Sequence, residues 1–312
     1  IPVPKERATL HDFVEVTGAR EHNLKNITAR LPLHAMAVIT GVSGSGKSTL
    51  IQDIFAPAIE RELEIYSQNI GDFEKIRGAV KQIEALEYID QNPIGKSSRS
   101  NPVTYIKVYD DIRKLFAEQK LSKMRGYKTK HFSFNVEGGR CEVCQGEGSI
   151  TIEMQFMADV TIECDQCHGT RFRDEILDVK FAGKNISDVL HLTVDDAIEF
   201  FKENQQSKIA EKLQSLQDVG LGYVQLGQSS STLSGGEAQR IKLASFLTKG
   251  NNAKKTLFIF DEPSTGLHFH DVQKLLISLR ALIEKGHSVW VIEHHPDIIK
   301  SADYLLDLGP EG

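Results

Sequence analysis

The chain has 312 residues, of which 40% are hydrophobic and 26% charged, and its formal net charge is −6 at pH 7. This length allows about two domains, and the composition is that of a globular protein with a sizeable core. The sequence contains no apolar run of about eighteen residues, so we predict no membrane span. The acidic balance excludes nucleic-acid binding through the overall field, so any such binding requires a local basic patch.

The N-terminal residues Ile1–Lys5 include neither an initiator methionine nor the apolar stretch of a signal peptide. We therefore expect a fragment of a longer protein that resides in the cytoplasm. Cysteines in that compartment are expected to be reduced.

Three unbroken apolar runs predict strands of a parallel sheet that is covered on both faces: Ala35–Thr40, Thr256–Phe260 and Ser288–Ile292. Between the last two runs, Asp271–Lys285 carries apolar residues at helical spacing, and Gly286 is a suitable helix stop. This is a β-α-β unit. Both ends of the chain are therefore predicted to belong to one α/β domain.

The middle of the chain has a different composition. Residues 92–175 are rich in Gly, Ser, Asn and Lys, with short β-like pieces such as Ser149–Phe156, and Val194–Val219 is again helical in pattern. We predict a discontinuous α/β domain of residues 1–91 and 246–312, interrupted by an inserted α+β domain of residues 92–245.

A glycine-rich segment, Gly41–Ser48, matches the pattern G-x-x-x-x-G-K-[ST] of a phosphate-binding loop. Its backbone N–H groups would cradle phosphate oxygens, Lys47 would contact the β- and γ-phosphates, and the Ser48 hydroxyl would bind Mg²⁺. A helix beginning near Lys47 would add the positive end of its dipole. The residues predicted to bind nucleotide are Gly41, Ser43, Gly44, Ser45, Gly46, Lys47, Ser48, Thr49 and, after a later strand, Asp261.

Two carboxylates follow the second apolar run, at the strand end where open α/β sheets bind ligands. Asp261 is suited to hold Mg²⁺, and Glu262 is suited to orient or deprotonate an attacking water. The third run ends in Glu293-His294-His295, which places a histidine near the same edge. Taken alone, either histidine is better explained as an ordinary surface residue.

The segment Leu233–Glu237 (LSGGE) opens a predicted helix. A Ser-Gly-Gly start offers N–H groups and a helix dipole to a phosphate. As an isolated pentapeptide it is equally explained as a capped helix N-terminus.

The only cysteines of the chain form two C-x2-C pairs separated by nineteen residues: Cys141, Cys144, Cys164 and Cys167. This spacing predicts a closed, structural four-cysteine zinc site within a module of about residues 138–172. Two disulfides are the alternative, which the expected reducing compartment disfavours. His168 is a possible competing ligand, although four thiolates leave it no vacancy.

Two windows lack acidic residues. Gln91–Tyr109 contains Lys96, Arg99 and Lys107. Gln119–Val136 contains Lys120, Lys123, Arg125, Lys128 and Lys130, and Arg140 follows it. In an acidic chain these windows indicate a surface that faces a polyanion, whereas the alternative is an ordinary solvated face.

Taken together, these motifs resemble those of the ABC ATPase family. The resemblance implies Walker A at Gly41–Ser48, Walker B at Leu257–Asp261 with Glu262 as the catalytic glutamate, and a D-loop at Ser264–Leu267. It further implies that Gln91 is the Q-loop glutamine and His294 the switch histidine, both catalytic. Ser234, Gly235, Gly236 and Glu237 would be the signature, which acts in trans on ATP bound by another module. The isolated chain is therefore expected to hydrolyse ATP weakly or not at all.

Longer stretches resemble the UvrA family of excinuclease components, in its C-terminal ABC module: Gly18–Ile27, Ile89–Pro102, Arg125–Gly148, Cys164–Arg171, Asp218–Arg240 and Asp261–Asp271. This resemblance implies that the chain is the C-terminal half of the ATP-hydrolysing damage-recognition component of bacterial nucleotide excision repair. It implies ATP, Mg²⁺ and structural Zn²⁺ as cofactors. The implied partners are damaged double-stranded DNA, UvrB, the N-terminal ABC module of the same protein and, for the full-length protein, a second copy. The inserted domain would bind DNA through Lys123, Arg125, Lys128, Lys130 and Arg140.

Two other functions share these motifs. A UvrA paralogue in drug resistance would carry all of them. The nucleotide-binding component of a transporter would carry the ATPase motifs, but the zinc-binding insertion has no evident use there.

Overall fold

The computed structural model describes residues 1–65, 70–95, 99–152, 154, 160–248 and 254–309. Lys96 and the last residues of the predicted β-like piece, Gln155 and Phe156, lie outside them. Internal contacts divide the chain into two compact units, a first unit of residues 1–92 and 249–312 and a second unit of residues 93–248. The domain boundaries given above stay a prediction.

In chain order, the strands of the described residues are β1 (Phe13–Ala19), β2 (Ile27–Pro32), β3 (Met36–Gly41), β4 (Lys75–Gly78), β5 (Ala85–Ile89), β6 (Ser149–Ile152), β7 (Val160–Glu163), β8 (Thr256–Asp261), β9 (Ser288–Ile292) and β10 (Tyr304–Leu308). The α-helices of the same residues are α1 (Ala56–Glu62), α2 (Pro102–Tyr105), α3 (Tyr109–Ala117), α4 (Lys120–Met124), α5 (Asp174–Leu177), α6 (Ile186–His191), α7 (Val194–Glu203), α8 (Ser207–Asp218), α9 (Gly235–Leu247), α10 (Phe269–Glu284) and α11 (Pro296–Ser301). A π-helical segment, Thr49–Phe55, leads directly into α1.

The first unit is built around a five-stranded parallel sheet with the strand order β10-β3-β9-β8-β5. The three predicted apolar runs are its central strands β3, β9 and β8. Helix α10 connects β8 to β9, so the predicted β-α-β unit is confirmed. Because the strands are parallel, the segments that follow β3, β8 and β9 all leave the sheet at the same edge.

The central strands of this sheet do not alternate apolar and polar residues, because both faces of the sheet are buried there. Every residue of β9 is buried. Trp290 is fully buried, and its indole Nε1 donates a hydrogen bond to the carbonyl oxygen of Pro32 at 2.8 Å. The Phe55 ring packs edge-on against Trp290 with 5.4 Å between centroids. The helical segment that follows the glycine-rich loop is thereby anchored to the sheet.

A separate antiparallel sheet of the first unit has the order β2-β1-β4. Along β1 every second residue from Val14 to Gly18 is buried, as expected for a strand with one covered face. Val14 and Val16 contribute to the same hydrophobic core as Trp290.

The second unit contains helices α2 to α9 and the hairpin β6–β7. The predicted helical stretch Val194–Val219 is confirmed as α7 and α8, and β6 matches the start of the predicted Ser149–Phe156 piece. Tyr109 on α3 is buried, and its hydroxyl donates to the Phe132 carbonyl at 2.7 Å. The observed architecture therefore confirms the predicted fold class. Across the described ranges, no helix combines the length and the apolar character needed to cross a membrane.

Candidate functional site

The glycine-rich loop joins β3 to a helical segment that begins at Lys47, as the sequence predicts. Gly41, Gly44 and Gly46 have positive φ angles of 139°, 80° and 92°, a backbone conformation that favours glycine. A Cβ at Gly41 would collide with the carbonyl oxygen of Leu308. The loop is further held by Asn23, whose side-chain amide donates to the Gly44 carbonyl at 3.0 Å.

Two polar groups of this loop fit an anionic ligand. Lys47 is 8% exposed, and its Nζ donates to the carbonyl oxygens of Gly41 at 2.9 Å and Val42 at 2.8 Å. The buried Ser45 hydroxyl has no hydrogen-bond partner among the described residues. Among the described residues, the contacts of this buried cation are neutral carbonyls and the buried hydroxyl has no partner, and both features favour a negatively charged ligand.

Asp261 lies at the end of β8 and is hydrogen-bonded to the π-helical segment Thr49–Phe55, which follows the glycine-rich loop. Gln52 donates to Asp261 Oδ2 at 2.9 Å, and the Tyr88 hydroxyl lies 3.3 Å from the same oxygen. Burial raises the pKa of Asp261 above its ordinary value, and the neighbouring Glu262 and Asp90 add to the rise, whereas the hydrogen bonds from Tyr88 and Gln52 oppose it. A carboxylate whose charge is disfavoured is well suited to gain a cation.

Glu262 and His294 contact each other at the same sheet edge. His294 Nε2 lies 2.9 Å from Glu262 Oε1, and both side chains are partly exposed. Glu262 has a left-handed backbone with φ of 47°, which is uncommon for a residue with a side chain and is often found at functional sites. Gln91, which follows β5, reaches the Glu262 carbonyl oxygen at a long 3.5 Å.

A further residue of this edge was not singled out by the sequence reasoning. Glu293 is 1% exposed. Its Oε1 accepts hydrogen bonds from the Ser264 backbone N–H at 2.9 Å and from the Ser264 hydroxyl. Its Oε2 accepts from the backbone N–H groups of His294 at 2.7 Å and His295 at 3.0 Å. The available signal was a carboxylate in the first position after a buried strand.

The predicted signature belongs to the second unit and begins helix α9. Ser234 is the N-cap: its hydroxyl accepts from the Glu237 N–H at 3.2 Å, and Glu237 Oε2 accepts from the Ser234 N–H at 2.8 Å. Although burial opposes ionisation, hydrogen bonds from Tyr223 and Ser234 lower the pKa of Glu237 below its ordinary value, with the nearby Arg240 contributing. Gly235 and Gly236 are the first two residues of the helix. The two hydrogen bonds between Ser234 and Glu237 make this helix start a reciprocal capping box.

The four cysteines come together as a buried cluster. Their Sγ atoms all lie within 4.8 Å of one another, with 3.9 Å between Cys141 and Cys164 and 3.6 Å between Cys144 and Cys167. A disulfide needs about 2.05 Å between sulfurs, so neither pair is bonded. A tetrahedral zinc site with Zn–S of about 2.3 Å has sulfurs about 3.8 Å apart, so the cluster fits that ion.

The thiols of this cluster differ in acidity. Burial opposes the charge of Cys164, but the N–H groups of Cys167 and Gln166 and hydrogen bonds from the neighbouring thiols outweigh it and bring the pKa of Cys164 to about 7. Burial raises the pKa of Cys141 and raises that of Cys167 to about 12. His168, the possible competing ligand named above, lies outside the cluster: its side chain is 77% exposed and lies 3.9 Å from a Glu163 carboxylate oxygen.

Comparison with known proteins places these features in a family. A family model for the ABC transporter matches residues 141–265. UvrABC system protein A is 54% identical over all of this chain in Streptococcus pneumoniae serotype 4 and 51% identical in Clostridium acetobutylicum. The crystal structure of UvrA2 from Deinococcus radiodurans is 44% identical, has a TM-score of 0.87 and covers 97% of this chain. The chain belongs to the UvrA family.

The chain spans about a third of the length of its UvrA-family relatives: 33% of each of the two curated proteins and 36% of the UvrA2 chain. The segment matched by the ABC transporter model contains the LSGGE segment and β8, but not the glycine-rich loop. Fold and sequence similarity together give this region an ABC-type ATPase fold, like that of its UvrA-family relatives.

The basic residues predicted to contact DNA fall into two groups. Arg125 and Arg140 are engaged within the second unit. Arg125 pairs with Asp178 at 2.8 Å, and the Arg140 side chain is 14% exposed and lies 3.9 Å from a Glu137 oxygen. Lys123, Lys128 and Lys130 are exposed, and none pairs with a carboxylate of the residues that the structure describes.

Proposed function

We propose that this chain is the C-terminal ATP-hydrolysing module of a DNA-damage recognition protein of nucleotide excision repair. The observation that carries the proposal is the convergence of four elements at one sheet edge. These are the glycine-rich loop after β3, Asp261 at the end of β8, Glu262 just after it, and His294 after β9. The inferred partners are damaged duplex DNA, UvrB, the N-terminal ABC module and a second copy of the full-length protein.

The phosphate groups of ATP would occupy the glycine-rich loop. Lys47 would exchange the carbonyl oxygens of Gly41 and Val42 for phosphate oxygens, and the buried Ser45 hydroxyl would gain a partner. The Ser48 hydroxyl and Asp261 would hold Mg²⁺, which supplies charge neutralisation of the phosphates when it is bound. The pKa of Asp261 is raised by burial, so a cation there relieves a cost already present in the fold.

Glu262 would act on the attacking water. Its carboxylate accepts a proton from the water as the water oxygen bonds to the γ-phosphorus and the bond to the leaving ADP oxygen breaks, giving ADP and phosphate. His294 Nε2, at 2.9 Å, keeps that carboxylate in one orientation. Gln91 would report nucleotide to the start of the inserted region, since it reaches the Glu262 carbonyl and lies just before residue 93.

The signature would complete an ATP site of another module, through the N-terminus of α9. Ser234, Gly235, Gly236 and Glu237 form the first turn, where a helix dipole favours phosphate. Ser234 is exposed, and its hydroxyl takes part in the capping box, so a phosphate can approach it from solvent.

The cysteine cluster would hold one structural Zn²⁺ through Cys141, Cys144, Cys164 and Cys167. Four thiolates close the coordination shell, so the ion stabilises the fold of the insertion and provides no open position for water.

Contact with DNA would use the exposed lysines of the second unit. Lys123, Lys128 and Lys130 can neutralise phosphates without reading sequence, as recognition of varied lesions requires. Arg125 and Arg140 would contribute less to DNA binding, because contact with DNA would compete with Asp178 and Glu137.

The proposal is tested by measuring duplex binding by the full-length protein over a salt series. Reversing Lys123, Lys128 and Lys130 to glutamate should weaken binding and reduce the slope of log K against log salt by about one per lost phosphate contact. The matched control reverses Lys114, Lys180 and Lys202, which are three exposed lysines of the same unit. An unchanged slope in the first variant, or an equal loss in the control, would contradict the proposed DNA surface.

A further inference from the structure

The carboxylate of Glu293 joins two loops that leave different strands. It is almost fully buried, yet it has four hydrogen-bond donors around it: two from Ser264 and one each from the backbone of His294 and His295. Its own N–H donates to the Ile39 carbonyl at 3.0 Å, which ties it to β3. A buried carboxylate is tolerated only with such full pairing.

On one side, Glu293 fixes the chain that carries His294. The Oε2 atom accepts both N–H groups that follow it, at 2.7 and 3.0 Å, and so sets the direction in which the chain leaves β9. The direction of the His294 side chain toward Glu262 depends on that backbone.

On the other side, Glu293 fixes the turn that carries Glu262. Ser264 lies two residues after Glu262, and the Thr265 N–H donates to the Glu262 carbonyl at 3.1 Å within the same turn. The left-handed conformation of Glu262 costs free energy and persists only where surrounding contacts over-determine it. The two bonds from Ser264 to Glu293 supply such contacts.

We propose that Glu293 is a positioning residue for ATP hydrolysis, which aligns both members of the Glu262–His294 pair through a single buried carboxylate. This inference rests on the proposed function. It also gives Ser264 a role: a displacement of the Ser264 turn moves Glu262 and, through Glu293, His294.

Glutamine is the informative replacement. The Glu293→Gln side chain has nearly the same shape but only one acceptor oxygen, so its NH₂ group must face either the Ser264 donors or the two backbone N–H groups. One loop is therefore released while the core stays filled. Loss of alignment by a fraction of an ångström to 1 Å should lower kcat by about 10- to 100-fold.

The experiment measures kcat and KM for ATP, together with the nucleotide Kd, in the full-length protein whose N-terminal ABC module has been made unable to hydrolyse ATP, so that the rates report this module's site. Glu293→Gln should lower kcat as stated and leave KM and Kd within about twofold, because the phosphate loop is untouched. The control is Asp303→Asn, which alters another buried carboxylate of the first unit that binds the Met36 and Ala8 N–H groups and Arg280. Its kcat should stay within about twofold of the wild-type value.

A double variant decides whether Glu293 acts through the pair. In a Glu262→Gln background, Glu293→Gln should lower the single-turnover rate by less than about twofold, because residues that act as a unit are not additive. If the effects of Glu262→Gln and Glu293→Gln multiply, or if Glu293→Gln keeps the wild-type kcat, the positioning role of Glu293 is overturned and the proposed function is not. A wild-type kcat in Glu262→Gln would instead overturn the proposed function, and the inference with it.

Discussion

His294 Nε2 contacts Glu262 Oε1 at 2.9 Å, although the two residues follow different strands of the parallel sheet. The contact exists because β8 and β9 are adjacent, with Asp261 paired to Ile292 in register. The Glu262 N–H also donates to the Ile292 carbonyl at 2.9 Å, so one strand end supports the other. Strand pairing thus delivers an acid and an imidazole to the same point beside the phosphate loop.

Replacing Glu262 with glutamine should separate ATP binding from hydrolysis. The amide cannot accept a proton from water, so we expect the contribution of this module's site to kcat of the full-length protein to fall by about 10²- to 10⁴-fold. The nucleotide Kd should change little, because Lys47 and the loop N–H groups are unaffected. Steady-state hydrolysis and nucleotide titration measure the two quantities. The matched control is Glu284→Gln, which changes an exposed acid at the end of α10 and should retain the wild-type kcat and Kd. If Glu262→Gln lost as much nucleotide affinity as kcat, the assignment of Glu262 as the residue that acts on water would be contradicted.

Two glycines of the phosphate loop should differ in their tolerance of alanine. Gly41→Ala places a Cβ against the carbonyl oxygen of Leu308 on a backbone with φ of 139°, whereas a Cβ at Gly44 meets no atom within 4 Å. We expect Gly41→Ala to destabilise the first unit by more than about 2 kcal/mol, and Gly44→Ala by about 1 kcal/mol from backbone strain alone. Thermal unfolding of the full-length variants provides the comparison. Equal shifts would show that the Leu308 contact does not matter.

Much of this sheet was predictable from local sequence, because its central strands are continuous apolar runs and its loop has a specific glycine pattern. The strand order was not, since β10 pairs with β3 and β5 pairs with β8 through contacts distant in sequence. For the same reason the sequence did not show that Arg125 is held by Asp178. The roles of Glu293 and Ser264 depend on two loops meeting, which no local pattern records.

Two carboxylates of the first unit, the half-buried Asp261 and the Asp303 side chain, should make the free energy of unfolding depend on pH in opposite ways. Burial raises the pKa of Asp261, so the folded state binds its proton more tightly than the unfolded state does, and stability falls as pH rises from the unfolded pKa through the raised folded pKa. For Asp303 burial acts in the same direction, but hydrogen bonds from Arg280, Met36 and Ala8 outweigh it and lower its pKa. That carboxylate contributes stability above the unfolded pKa, which is lost as pH falls through the folded pKa.

At neutral pH, Asp261→Asn should therefore raise the melting temperature of the nucleotide-free full-length protein, and Asp303→Asn should lower it. Asp261→Asn should also remove the additional stabilisation that Mg²⁺ gives in the presence of nucleotide, because the cation loses a charged ligand. Calorimetry at several pH values, with and without Mg²⁺ and nucleotide, gives these differences. A lower melting temperature for Asp261→Asn would show that its hydrogen bonds with Gln52 and Tyr88 outweigh the cost of burying its charge.

We expect one zinc ion per cysteine cluster, and we expect loss of that ion to affect the second unit but not the first. Cys144→Ser removes a thiolate whose sulfur also accepts the Gly148 N–H at 3.3 Å, so the cluster loses both metal affinity and a backbone contact. Metal analysis of the full-length protein should show one zinc fewer than in the wild type. Nucleotide binding by the first unit should persist, because no residue of the cluster belongs to it.

The neighbouring histidine provides the control for this change. His168 is 77% exposed and lies outside the sulfur cluster, so His168→Ala should retain the wild-type zinc content. If His168→Ala lost zinc while Cys144→Ser kept it, the ligand set would include the histidine, and the fourth thiolate would be dispensable. Retention in the histidine variant together with loss in the cysteine variant fits a closed shell of four thiolates, since such a shell has no position for a fifth ligand.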